Sequence, residues 1–171
     1  YGMGSGLLIS GGNVSLQRCL IHGNTGGTGG GFYVSGGSLT LMDCIIRDNQ
    51  ALYGAGAYVT SGSVSMTRCS ISGNRGINGA GGLLVDSSGL ISIDTTNFTT
   101  QTKGEDVRFS SSRSSSSFEG CWFEDSTISI TSPLQWHCPT GYWMPSTVSL
   151  TATHFFGCLY VAPPPSPPLP P

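Results

Sequence analysis

Apolar and polar residues alternate along much of this chain, in short runs that are separated by glycine, serine and asparagine. Val14-x-Leu16 and Leu39-x-Leu41 are typical runs, in which the two apolar side chains stand two residues apart. That spacing places both side chains on one face of a β-strand, and no segment keeps the period of an amphipathic helix. The sequence therefore predicts an all-β chain of short strands joined by tight turns.

The runs recur with a period of 25 residues, and Cys19, Cys44 and Cys69 mark the same place in three successive units. A fourth unit has Thr96 at the cysteine position, and we predict that it carries a two-residue insertion at 86–88. Glycines are in phase as well, and an aliphatic row follows them. The phased glycines are Gly4, Gly29, Gly54 and Gly79, then Gly6, Gly31, Gly56 and Gly81. The row that follows is Ile9, Val34, Val59 and Leu84.

A fixed period of this length indicates a stacked repeat protein. Strands that always run the same way cannot pair as hairpins, so each coil must stack in parallel on the previous one. At about 3.3 Å per strand residue, a coil of this length can go once around a narrow core. We expect about six coils. Residues 1–101 form the regular part, residues 102–161 form irregular coils and a C-terminal cap with inserted loops, and residues 162–171 form a proline-rich linker.

The stretches Gly30-Gly31-Phe32-Tyr33-Val34 and Ile21-x-x-Asn24 carry a family resemblance. They resemble the repeats of right-handed parallel β-helix proteins of the pectin-lyase-like group, and in detail those of polymorphic outer-membrane and autotransporter-type adhesins. Isoleucine stands where the adhesin repeats have phenylalanine. The resemblance implies a single-stranded right-handed parallel β-helix, and its motifs specify architecture better than activity.

The in-phase cysteines leave two alternatives open. They form either an interior column of free thiols or stacked neighbours within reach of a disulfide. Cys121 continues the column, whereas Cys138 and Cys158 lie outside it. For these two we predict a disulfide that closes the C-terminal end, which is typical of an oxidising compartment. A zinc site is not indicated, because the chain has no CxxC pair.

Three further columns follow from the same period. Asn24, Asn49 and Asn74 stand at a corner, where we expect their side chains to bond the backbone of the turn. Arg18, Asp43 and Arg68 share one register position, so stacking places an aspartate between two arginines and opposes register slips. The third column is Leu8, Tyr33, Tyr58 and Leu83.

Strand alternation makes this third column an exposed apolar and aromatic stripe suited to sugar stacking or protein docking. The alternative, that the facing is off by one and the residues belong to the core, stays open. Two N-glycosylation sequons also occur, at Asn13 and Asn97, and both asparagines are expected to face solvent.

Composition favours an extracellular structural module. Charged residues make up 9% of the chain and the net charge is −2, so no basic surface for nucleic acid is indicated. No apolar run is long enough for membrane insertion. Lys103 is the only lysine and the three histidines fall in different units, so the sequence shows no catalytic constellation and no cofactor site. We predict that the module is not an enzyme and expect it to be part of a longer secreted polypeptide.

We expect the proline-rich linker at 162–171 to adopt polyproline II and to act as a stiff spacer. It resembles the hydroxyproline-rich stretches of plant and green-algal cell-wall glycoproteins, which implies hydroxylation and O-glycosylation. The candidate positions are Pro163, Pro164, Pro165, Ser166, Pro167, Pro168, Pro170 and Pro171.

Together these features predict a secreted structural or adhesive glycoprotein of an algal cell wall, surface appendage or fibre. Its expected partners are other matrix or fibre proteins, glycans and copies of itself. The alternative is a polysaccharide-binding or polysaccharide-degrading β-helix domain.

Overall fold

The computed structural model describes residues 2–86, 88–99 and 101–109 and the backbone of six later segments, 116–119, 121–123, 128–130, 135–137, 142–143 and 159–160. Of the later segments, only the Cys121 side chain is described. The described residues form strands, turns and bends without a helix, which confirms the all-β prediction. No helix among them could therefore cross a membrane.

Four successive coils make up the regular part of the molecule. Coil 1 comprises β1 (Leu7–Gln17), β2 (Leu20–His22) and β3 (Thr25–Thr28). Coil 2 comprises β4 (Phe32–Met42), β5 (Ile45–Arg47) and β6 (Gln50–Tyr53). Coil 3 comprises β7 (Ala57–Val59), β8 (Ser63–Thr67), β9 (Ser70–Ser72) and β10 (Arg75–Gly76). Coil 4 comprises β11 (Leu83–Val85), β12 (Leu90–Asp94) and β13 (Asn97–Phe98).

Shorter strands continue the stack beyond coil 4. They are β14 (Val107–Phe109), β15 (Ser116–Glu119), β16 (Trp122–Phe123), β17 (Ile128–Ile130) and β18 (Gln135–His137). An antiparallel pair, β19 (Tyr142–Trp143) and β20 (Leu159–Tyr160), follows them. The described part thus contains about four regular turns, slightly fewer than the six coils that we predicted from the sequence.

The strands lie in three parallel sheets that enclose a narrow core. The largest sheet contains β1, β4, β8, β12 and their neighbours. The second sheet consists of β2, β5, β9, β13 and β16, and the third consists of β3, β6 and β10. Val14 lies opposite Leu39, and Leu39 lies opposite Val64, so the sequence period is also the register of the stack. The predicted parallel solenoid is therefore confirmed.

Inward aliphatic side chains stack in rows through all four coils. In coils 2 to 4 these side chains are at most 3% exposed, and each fully buried one contributes about 1.5–3 kcal/mol to folding. The rows begin in coil 1 with Ile9, Val14, Leu16 and Ile21. Of these four, all but Ile9 are only partly buried, because a neighbouring coil covers them on one side only.

The glycine next to each inward row is required by the close approach of the backbones. A β-carbon built on Gly31 would collide with the carbonyl oxygen of Gly56 in the next coil and lie 3.1 Å from Asn49 Nδ2. Gly6 and Gly56 have the same surroundings in their own coils. This column of glycines therefore allows the coils to stack at normal strand spacing while the asparagine corner packs against them.

The register of coil 4 corrects one prediction. Gly76 pairs with Ala51 at the normal offset, but Val85 pairs with Val59 at one residue more, and Leu90 pairs with Ser63 at two more. One extra residue therefore lies before β11 and another lies after it. The prediction of one double insertion at 86–88 was wrong. Val85 rather than Leu84 continues the inward row.

The asparagine corner is a continuous hydrogen-bonded ladder. Asn49 donates from its backbone nitrogen and from Nδ2 to Asn74 Oδ1, at 3.0 Å in both cases, and a second Nδ2 bond reaches Ile21 O at 3.1 Å. Asn24 makes the same pair of bonds to Asn49. In coil 4 the ladder ends on Gln101, which accepts both bonds from Asn74. The predicted role of the asparagines in bonding the corner backbone is confirmed, and Gln101 is a member that the sequence had not indicated.

The cysteine column contains free thiols at Cys19, Cys44 and Cys69. Cys44, Cys69 and Cys121 are buried and Cys19 is half-buried, which decides between the two alternatives left open by the sequence. Burial raises the pKa of the Cys69 thiol. Thr96 takes the cysteine position in coil 4, and its hydroxyl accepts a bond from the Cys69 backbone nitrogen at 3.2 Å. These residues therefore fill space inside the solenoid.

Candidate functional site

The predicted outer stripe is only partly exposed. Leu8 is 53% exposed, but Tyr33 is 9% exposed and Tyr58 is half-buried. Leu83 is fully buried, because the insertion before β11 turns it inward and places Leu84 opposite Tyr58. The prediction of an exposed stripe was therefore wrong for Tyr33 and Leu83. The core alternative applies to Leu83 alone, because Tyr33 lies between the inward Phe32 and Val34 and is covered from outside. Tyr33 is enclosed in part because Gly29, at a φ of 59°, brings the preceding corner against its β-carbon.

Tyr33 and Tyr58 form a pair with a structural role. Their ring centroids lie 5.4 Å apart at an interplanar angle of 49°. The Tyr33 hydroxyl lies 3.3 Å from Thr60 Oγ1, and the Tyr58 hydroxyl donates to Asp86 Oδ2 at 3.2 Å. Partial burial, together with the Asp86 carboxylate, raises the pKa of Tyr58 to about 12. The pair secures two corner segments to the sheet, which leaves little ring face for a sugar.

The outer face of the large sheet is a better candidate surface. We call it the hydroxyl face. Its central column consists of Ser15, Thr40, Ser65 and Ser92, which lie opposite one another on β1, β4, β8 and β12. A second outward column consists of Asn13, Ser38, Ser63 and Leu90.

The hydroxyl face is flat and has little charge. Adjacent coils place equivalent side chains about 4.8 Å apart, which is the strand spacing. Over the first three coils, neither column contains an ionisable side chain. A shallow groove of about 310 Å³ crosses the face between Ser38, Ser65 and Ser92. Such a surface offers regularly spaced hydroxyl donors and acceptors to an extended polar polymer.

The charged column is arranged largely as predicted. Arg68 binds the Asp43 carboxylate through Nε to Oδ1 at 2.8 Å and Nη2 to Oδ2 at 3.1 Å. The bond to Arg68 is the main cause that lowers the pKa of Asp43, and the charge of Arg18 adds to it. Arg18 forms no ion pair within the described residues, so the expected two-sided contact is made on one side only.

A crevice lined by two cationic side chains lies beside the corner segments that follow β10 and β13. It has a volume of about 520 Å³ and is lined by Ile77, Asn78, Lys103, Arg108 and neighbouring residues. Glu105 lies at its edge, 3.5 Å from Arg108 Nη2. This crevice was not predicted from the sequence, because Lys103 and Arg108 follow the irregular end of the repeat and share no column.

The model of the right-handed β-helix region matches residues 2–98, more than half of the chain. The chain belongs to the right-handed β-helix family. This family includes pectate-lyase-like enzymes as well as proteins without enzymatic activity. No curated protein and no solved structure matches the chain. The coils described above are therefore those of a right-handed parallel β-helix.

Both sequon asparagines of this β-helix are exposed. Asn13 Oδ1 accepts a bond from Ser38 Oγ at 2.9 Å, and Asn13 Nδ2, the atom to which a glycan attaches, donates to no described residue. Glycosylation at Asn13 and Asn97 stays a prediction.

Several predicted features lie outside the described residues. They are the Cys138–Cys158 disulfide, the inserted loops and most of the C-terminal cap, and the proline-rich tail with its candidate hydroxyproline sites. Among the residues that the structure describes, no group of three or more His, Cys, Asp or Glu side chains is arranged to hold a metal ion.

Proposed function

We propose that this β-helix is an extracellular structural and adhesive glycoprotein module of an algal cell wall, surface appendage or fibre, and that it contacts matrix glycans and fibre proteins through its hydroxyl face. One observation supports the proposal above others: the in-register column Ser15, Thr40, Ser65 and Ser92 on a flat face. A polymer with a regular repeat of hydroxyl groups can bond to such a column at several coils at once. Weak single contacts then add up through multivalency.

The neutrality of the face argues for an uncharged partner. Burying a charge without a partner is costly, whereas a hydroxyl that exchanges water for another hydroxyl loses little. The exposed Asn13 sequon lies at one margin of the same face, where a glycan would enlarge the polar contact surface. The proline-rich tail, which resembles hydroxyproline-rich wall glycoproteins, favours the same compartment.

The proposal is tested with a glycan array of neutral and acidic polysaccharides. We expect the protein to bind neutral glycans, and Thr40→Lys with Ser65→Lys to reduce that binding at least tenfold. Thr25→Lys serves as the matched control, because Thr25 is exposed on the third sheet, away from the face. Equal binding by the double variant and the control would contradict a role for the hydroxyl face.

A second candidate is binding or degradation of an acidic polysaccharide in the crevice beside Lys103 and Arg108. Two cations near backbone groups of glycine are suited to carboxylate groups. Loss of uronate binding in Lys103→Ala, but not in Arg47→Ala on β5, would support this alternative. Release of unsaturated or reducing uronic acid by the wild type would make the protein an enzyme and overturn the structural proposal.

A further inference from the structure

Asn78-Gly79 is the one place in the sequence where glycine directly follows asparagine. Glycine has no side chain, so its backbone nitrogen is less shielded than that of any other residue. The carboxamide of an asparagine in this position is therefore open to attack by the nitrogen of the following peptide bond. The other asparagines are followed by larger residues, which are Val14, Thr25, Gln50, Arg75 and Phe98.

The hydrogen-bond ladder between coils 2 and 3 is interrupted at this dipeptide. Asn78 donates from its backbone nitrogen to Leu52 O at 2.9 Å, and the next bond between the two coils runs from Ala55 N to Ala80 O at 3.1 Å. Between these two bonds, coil 3 has one residue more than coil 2. The extra residue before β11 therefore lies at this corner, and it takes Gly79 out of the ladder.

Both groups that would react are without a hydrogen-bond partner among the described residues. The Gly79 backbone nitrogen donates to none of them, and the Asn78 carboxamide makes no bond to any of them. Asn78 is also exposed, so water reaches it. By contrast, the carboxamides of Asn49 and Asn74 are held in the buried ladder. A reaction at Asn78 therefore breaks no bond of the fold.

The surroundings of the dipeptide favour negative charge. Asn78 and Gly79 line the crevice that also contains Lys103, Arg108 and Glu105. These side chains carry two positive charges and one negative charge, which gives the crevice a net charge of +1. Cations stabilise an anionic nitrogen or oxygen as it forms, and they attract a carboxylate once it is present.

We propose that Asn78 is a site of spontaneous deamidation, which the cations of the crevice promote. The Gly79 nitrogen loses its proton to hydroxide and attacks Asn78 Cγ. A bond forms between this nitrogen and Cγ, the bond from Cγ to Nδ2 breaks, and ammonia leaves. Water then opens the cyclic succinimide at either of its carbonyl carbons, which yields aspartate or isoaspartate. The reaction needs no oxidant and no cofactor.

The conversion changes the charge of the crevice. The new carboxylate is ionised at neutral pH, so two positive and two negative charges then line the crevice and its net charge is zero. An anion in the crevice, as in the second candidate function, would bind more weakly after conversion. The inference itself depends on neither candidate function, because deamidation is measured without any ligand.

The test follows the full chain, produced without N-glycans, in mildly alkaline buffer. We expect aspartate and isoaspartate to accumulate at residue 78 with release of an equal amount of ammonia. Trypsin yields the peptide 76–103, in which fragment ions distinguish Asn78 from Asn97. Asn13, which is exposed but precedes a valine, is the internal control and should react at least tenfold more slowly.

Two variants test the need for this dipeptide. Gly79→Ala should slow the conversion at least tenfold, because the methyl group shields the attacking nitrogen. The fold should tolerate this change, since the φ of Gly79 is not positive and the new β-carbon would lie 3.3 Å from Tyr53 Cδ1, on a half-exposed ring. Asn78→Gln is the second variant, at an exposed position, and should abolish the reaction because a larger ring would have to form.

A third variant tests the cations of the crevice. Lys103→Ala should slow the conversion about threefold, whereas the control Arg47→Ala, on β5, should leave it unchanged. Absence of isoaspartate at residue 78, reaction of Asn13 at the same rate, or equal rates for wild type and Gly79→Ala would each overturn the proposal. Equal rates for wild type and Lys103→Ala would overturn the part assigned to the crevice.

Discussion

Arg68 and Asp43, on adjacent coils, form a two-bonded ion pair although both residues have left-handed backbone conformations, with φ of 52° and 53°. A non-glycine residue in this region costs about 1–2 kcal/mol. Arg18 has the same conformation, at a φ of 53°. The corner is therefore made by charged residues where glycine would be less strained, and the ion pair partly offsets the cost.

The ion pair makes stability depend on acidity. Arg68 lowers the pKa of Asp43 in the folded state. The ion pair therefore stabilises the fold fully above the ordinary aspartate pKa, and this stabilisation is lost as pH falls through the lowered pKa. We expect Asp43→Asn to reduce the melting temperature at pH 7 and to flatten its decline below pH 4. Thermal melts of wild type and variant between pH 2 and 7 measure this. A constant difference between them would show that the pair adds no pH-dependent stability.

The amide ladder should be the most sensitive polar feature of the fold. Asn49→Ala removes four bonds at a residue that is 1% exposed and leaves the donors of Asn24 without their acceptor. We expect a loss of about 2–4 kcal/mol in the free energy of unfolding, measured in urea.

The control for the ladder is Asn13→Ala, at an exposed asparagine with a single side-chain bond. This change should alter the free energy of unfolding by less than about 0.5 kcal/mol. Similar losses in the free energy of unfolding for both variants would mean that the ladder contributes no more to stability than an exposed hydrogen bond.

The glycine column allows a direct test of coil spacing. Gly31→Ala places a methyl group against the Gly56 carbonyl, and we expect destabilisation of about 1–3 kcal/mol. Gly11→Ala is the matched control, since no atom lies within 4 Å of a β-carbon there and its φ is not positive. That change should be neutral or stabilise by up to about 1 kcal/mol. Chemical denaturation compares the two, and tolerance of alanine at Gly31 would disprove the close approach.

The Tyr33–Tyr58 pair predicts how stability changes at high pH. Because the pKa of Tyr58 is raised from 10.0 to about 12, the folded state retains a proton that the unfolded chain releases. Stability should therefore fall as pH rises from about 10 to about 12, and Tyr58→Phe should fall less over that range. Absorbance at about 295 nm follows tyrosine ionisation, and the difference between the titrations of wild type and Tyr58→Phe reports the ionisation of Tyr58. An ordinary tyrosine titration in that difference would contradict the raised pKa.

The sequence allowed prediction of the columns because stacking converts a period into contacts. Cys44 and Cys69, Asn49 and Asn74, and Asp43 and Arg68 are all neighbours as expected. It could not place the insertions of coil 4, since two separate extra residues and one double insertion give the same spacing from Ile71 to Phe98.

Side-chain burial on the outer surface was harder to predict than the columns. The enclosure of Tyr33 depends on Thr60 and on the corner at Gly29, and neither contact follows from strand alternation. Gln101 was missed because glutamine differs in length from the asparagines whose ladder it completes. The central column of the hydroxyl face could have been predicted in part, because Ser15, Thr40 and Ser65 follow the 25-residue period and alternation places them outward, whereas Ser92 required the register of coil 4.

The amide ladder gives the stack a direction. The amide oxygens of Asn49, Asn74 and Gln101 each accept two bonds from the preceding coil, and their amide nitrogens each donate one bond to a carbonyl of that coil. Two coils that meet in opposite orientations cannot make this set of bonds. An assembly that used this corner would therefore be polar, with unlike ends that grow at different rates, and all its members would point the same way along a filament.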